Sequence, residues 1–192
     1  MRSKTRPTLI ASAVLAALVL AGCTAAPQAA PDAEPTGAVE EWGALEAVDL
    51  IDRLEAMPLD ERPQDVLASV RQDEVVVSSP DGGQEISVPI EQDHYLSIAP
   101  YVDQTHDCYF HSLTTCTGEM GGEELSVRIV DDRTGEVYVE ETGRANDNWF
   151  VGFWLPRDVS ATVTVTAAGR SAEASIVTGA DDLTCLTSMQ LT

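Results

Sequence analysis

The chain has 192 residues and a formal net charge of −21, from 32 acidic side chains against 11 basic ones. Three of those 11 (Arg2, Lys4 and Arg6) precede the first acid, so the rest of the chain sets eight arginines against 32 acids, a formal −24. Such a surface argues against a nucleic-acid partner, whose phosphates need Lys and Arg, and against charge-driven attachment to anionic lipid; it fits a soluble extracytoplasmic domain that attracts cations.

Residues 1–22 read as an export signal. Arg2, Lys4 and Arg6 form a positive start, and Leu9 to Leu20 is an apolar run too short to span a bilayer comfortably. The run ends in Leu20-Ala21-Gly22-Cys23, the lipobox pattern of bacterial lipoproteins. Cleavage before Cys23 and lipidation of its thiol would anchor the chain to the membrane, because two or more acyl chains hold where one is marginal. Residues 23–39, rich in Ala, Pro and acid, read as a lipidated tether.

Residues 40–72 read as a helical N-terminal region. Leu45, Val48, Ile51 and Leu54 recur at helical spacing until Pro58. Arg62-Pro63 is expected to open a second short helix carrying Val66, Leu67 and Val70. This region is a candidate packing or homodimerisation element. From residue 73 to 192 the period changes to two. Glu74 to Ser79 and Gln84 to Pro89 flank the turn Pro80-Asp81-Gly82-Gly83. Leu125 to Val130, Glu136 to Glu140, Trp149 to Leu155, Ala161 to Thr166 and Arg170 to Val177 read as further strands. The expected fold class is α+β: a short helical N-terminal region, then a mainly antiparallel β domain, sandwich- or barrel-like. Two segments echo each other, Thr115-Cys116 with Met120 and Thr184-Cys185 with Met189.

With Cys23 lipidated, three cysteines remain: Cys108, Cys116 and Cys185. An odd number outside the cytoplasm means either one pair plus a free thiol or a joint task for all three. All three histidines, His94, His106 and His111, lie within 18 residues that also contain Cys108. On a strand, His106 and Cys108 would share a face. Thiolates select Cu(I), zinc or iron–sulfur clusters, and imidazole suits copper and zinc. Zinc favours paired cysteines two to four residues apart, absent here, and a cluster usually wants four cysteines. Copper, as Cu(I), is therefore the favoured ion and zinc the second. The plainer alternative is a structural Cys108–Cys116 disulfide. Trp149, Phe150, Phe153 and Trp154 read as core and site wall, and the methionines as core filler.

The runs Asp93-His94-Tyr95-Leu96-Ser97-Ile98-Ala99-Pro100-Tyr101, His106 to Glu119 and Gly152-Phe153-Trp154-Leu155-Pro156-Arg157, with the late Cys185, resemble the CueP family of periplasmic copper-binding proteins. The resemblance runs from about Leu45 to the end. It implies a copper-resistance protein of the cell envelope in which Cys108, Cys116 and Cys185 hold the metal; His94, His106 and His111 are carried as further candidate ligands. A lipobox departs from the soluble members expected of that family. The function expected is an extracytoplasmic copper-binding lipoprotein that sequesters Cu(I) or delivers it to a copper-receiving protein. It is not expected to be an enzyme, although thiol-coupled reduction of Cu(II) or Fe(III) stays open. The alternatives are a thiol–disulfide protein and a structural lipoprotein with one disulfide.

Overall fold

Among the described residues, the first helix begins just past the Pro-rich stretch. The computed structural model describes residues 37–91 and 93–192; the export segment, Cys23 and most of the tether lie outside them. Helices α1 (Ala38–Gly43) and α2 (Ala47–Glu55) replace the single helix expected over this stretch. The stripe that α2 buries is Ala47, Leu50, Ile51, Leu54 and Glu55, while Val48 is half exposed. The apolar residues of the stripe recur at the three- and four-residue intervals of a helix face.

The second short helix expected after Arg62-Pro63 is instead a strand, β1 (Leu67–Val70). Ala68 and Val70 are fully buried, with Leu67 exposed and Ser69 between. That is a period of two, and the segment is paid for its backbone hydrogen bonds by pairing antiparallel with β2 (Glu74–Ser78). β2 turns into β3 (Glu85–Pro89) through Gly82 at φ 72°, with the Ser79 N–H donating to Gln84 O at 3.0 Å. The sheet β1-β2-β3 and the two helices close one core around Trp42, Leu50, Ile51, Leu54, Val70, Val75 and Val77.

A second sheet has the order β10-β4-β7: β4 (His94–Ile98) lies between β7 (Val151–Leu155), antiparallel, and the short β10 (Cys185–Leu186), parallel. Every residue of β4 is buried. Leu96 and Ile98 join the core against the third sheet, whereas Tyr95 joins the core under the helices. The third sheet, β6-β5-β8-β9, comprises β5 (Glu124–Asp131), β6 (Val137–Arg144), β8 (Ser160–Ala167) and β9 (Arg170–Val177), all antiparallel. The fold is thus a small helical N-terminal part followed by mostly antiparallel sheets, with no closed barrel among the described residues. β4, buried on both faces, is the strand through which the helical side and the sandwich side meet.

Candidate metal centre

The segment from His106 to Cys116 is not a strand. Residues 102–110 run as irregular chain, so His106 and Cys108 are not placed by strand alternation. The loop is fastened at both ends. Thr105 Oγ1 donates to Thr187 O at 2.6 Å and Thr187 Oγ1 donates to His106 O at 2.7 Å. Beyond it, Val70 N donates to His111 O at 2.8 Å and Leu113 N to Ala68 O at 2.9 Å, so the edge of β1 fixes His111. The buried Thr184 completes this fastening: its Oγ1 accepts from His111 N at 3.0 Å and donates to Val70 O at 2.7 Å. Cys185, one residue on, is thereby delivered to the same place by β10.

Two groups of donors result. His106, Cys108 and Cys116 form one; His111, Cys116 and Cys185 form the other; within each group the ligating atoms lie within 4.8 Å of one another. Cys116 belongs to both. The first group reaches the surface, with His106 exposed and Cys108 half-buried; the second is wholly buried. Cys108 and Cys185 form a disulfide, and Cys116 is a free, buried thiol with its Sγ 3.5 Å from Cys108 Sγ. The paired cysteines are therefore not the Cys108–Cys116 couple of the plain structural alternative. His94 stands apart from both groups: it is fully buried at the start of β4, with Nε2 3.0 Å from Leu183 O, and burial lowers its pKa.

Reasoning from the sequence missed the surroundings that polarise this cluster. His111 Nδ1 is 3.8 Å from Cys185 Sγ, and its Nε2 lies 2.9 Å from Glu55 Oε1 on helix α2. At that distance the two form a buried ion pair when the imidazole is protonated. Burial opposes a charge on His111, but Cys116 and Glu55 outweigh it and raise the pKa to about 9. Burial likewise opposes a thiolate at Cys116; His111 outweighs it and brings the thiol down to about 7 from its ordinary 9.0. Arg62, also buried, donates from Nη1 to Cys116 O at 3.1 Å. Phe150, fully buried, forms the wall, with its ring centroid 4.6 Å from that of His111 and 6.3 Å from that of His106. The sequence did contain a signal for Glu55: it sits four residues after Ile51 and one after Leu54, an acid on the apolar stripe of an amphipathic helix.

Soft sulfur donors with imidazoles at their side can take a soft cation such as Cu(I) or zinc, or exchange disulfides. Over residues 49–190 the chain matches the family described as periplasmic copper-binding protein CueP. A solved structure, the crystal structure of S.CueP, is similar with a TM-score of 0.71 and 34% identity, covering 78% of this chain and 90% of that one. None of the curated proteins compared matches. The chain belongs to the CueP family of periplasmic copper-binding proteins.

Proposed function

We propose that this chain is a lipid-anchored member of the family that takes up Cu(I) outside the cytoplasmic membrane, sequesters it or passes it to a copper-receiving protein, and so contributes to copper resistance. Cys108, Cys116 and Cys185 are the ligands, with His111 and His106 beside them. The observation that carries the reading is convergence: a cysteine 77 residues along the chain from Cys108 meets it and Cys116 in one cluster. Three thiolates suit Cu(I) better than a harder ion. The lipobox at Leu20-Ala21-Gly22-Cys23 supports the anchor, and the acidic tether after it supports a domain held off the membrane.

Binding by three thiolates requires the Cys108–Cys185 bond to be reduced. The test is therefore Cu(I) titration of the reduced mature chain, without oxygen, against a calibrated chelator. One ion per chain, lost in Cys185→Ser, is expected. No uptake by the reduced wild type, or zinc held in preference to Cu(I), refutes the reading.

One observation favours a second, redox reading. Cys116, whose thiol is acidified by His111, sits 3.5 Å from Cys108 of the Cys108–Cys185 disulfide, within reach of exchange. Formation of one disulfide from two thiols would release two protons and reduce two Cu(II) to two Cu(I). Reduction of a small-molecule disulfide by the metal-free chain would favour general thiol exchange over copper handling.

A further inference from the structure

Glu55 is a carboxylate only 5% exposed, on a helix remote in sequence from every cysteine. An ionised carboxylate leaves water at a large cost unless donors surround it. Here Tyr95 Oη donates to Oε1 at 3.0 Å, Ser97 Oγ to Oε1 at 3.3 Å and Asn148 Nδ2 to Oε2 at 2.6 Å. Those three donors suffice to keep a structural acid satisfied. Yet Oε1 also faces His111 Nε2 at 2.9 Å, and the other nitrogen of that ring faces Cys185. Asn148 carries the restraint to the face of the ring: its Oδ1 accepts from Phe150 N at 3.0 Å, and the Phe150 ring lies against His111. One carboxylate is thus linked to the edge of the imidazole directly and to its face through Asn148 and Phe150.

We propose that Glu55 is a positioning residue of the copper site, holding the Nε2 edge of His111 so that Nδ1 is aimed at the sulfurs. Carboxylates behind metal-binding imidazoles fix the ring orientation and the protonated nitrogen in this way. The inference rests on the reading of the cluster as a Cu(I) site. It makes helix α2 part of that site and not only a lid on the first core.

The test uses the mature chain carrying Cys23→Ser, reduced and free of oxygen. Cu(I) competition is measured for wild type, Glu55→Gln, His111→Ala and the double variant, and the metal-free wild type is examined by NMR with 15N-labelled histidine. Glu55→Gln is expected to bind one ion with affinity lowered about 10- to 100-fold, and to cause no further loss in the His111→Ala background. In the metal-free wild type, His111 Nε2 is expected to carry a slowly exchanging proton. An Nε2 without a proton overturns the proposal and needs no variant that folds. So does unchanged affinity in Glu55→Gln, or an equal loss in the His111→Ala background, which would mean that Glu55 acts through the fold. Absence of Cu(I) uptake by the wild type overturns the site reading itself, and is distinct from these outcomes.

Discussion

Gly152→Ala should disable the support of Glu55 from a distance. Gly152 lies on β7 opposite Ser97 of β4. A Cβ there would run into the Tyr95 hydroxyl and Cζ and come within 2.8 Å of Cε2. Tyr95 is 3% exposed, its ring centroid 5.0 Å from that of Trp154, so it has little room to withdraw. Overpacking of this kind costs about 1–3 kcal/mol. Displacing the hydroxyl also forfeits its hydrogen bond to the Glu55 carboxylate, a charged acceptor, for about 1.5–3 kcal/mol more. The sum, about 2.5–6 kcal/mol, is a large part of a domain's stability of about 5–15 kcal/mol. Urea denaturation should show a lower midpoint with an unchanged slope. Tyr95→Phe alone should cost about 1.5–3 kcal/mol, and the double variant less than the sum of the two, because removing the hydroxyl relieves part of the clash. A Gly152→Ala protein within about 0.5 kcal/mol of wild type, or strict additivity with Tyr95→Phe, would refute the reasoning.

Two further outcomes follow from the same geometry. With Cys108 and Cys185 joined and Cys23→Ser, alkylation of Cys116 followed by mass spectrometry should show a rate rising through about pH 7, and not through 9.0, because the depressed pKa supplies thiolate at lower pH. In His111→Gln the midpoint should move upward; an unmoved midpoint would sever the thiol from the imidazole. Thr184→Val should cost about 2–4 kcal/mol, since it leaves the buried Val70 carbonyl and the His111 N–H without their partner; Thr115→Val, at an exposed position, should cost little, and equal losses would refute the distinction.

That contrast also bears on what was legible in the sequence. The Thr-Cys-Met echo is matched in part: Cys116 and Cys185 fall in one donor group and Met120 and Met189 pack on one core, but Thr184 is a buried staple whereas Thr115 bonds Ser112 nearby. The alternating strands β2, β5 and β8 were readable because one face of each faces a core, and the Pro80-Asp81-Gly82-Gly83 turn because it needs a positive φ; β4, buried on both faces, has no such alternation and was not read as a strand. β1 was not readable as a strand. Its four residues follow a proline that suggests a helix start, and only pairing with β2 makes Ala68 and Val70 the buried positions. The Cys-His segment was legible as a cluster of chemistry but not as geometry. Its shape comes from Thr187, Thr184 and the β1 edge, far away along the chain.

The misreading of β1 and the oversight of Glu55 have one physical origin. A sequence read segment by segment assigns the N-terminal helices to their own small core, where Leu50, Ile51 and Leu54 do belong. The acid that extends their stripe has no role in such a core, since an ionised group in apolar surroundings needs donors from elsewhere. Those donors come from β4, through Tyr95 and Ser97, and from Asn148 just before β7. β4 can supply them because it is buried on both faces, sending Leu96 and Ile98 one way and two hydroxyls the other. β1 then brings His111 to the same carboxylate along its edge. A buried acid on an apolar helical stripe is thus a statement about a distant partner, and here the partner is His111, beside the clustered cysteine sulfurs.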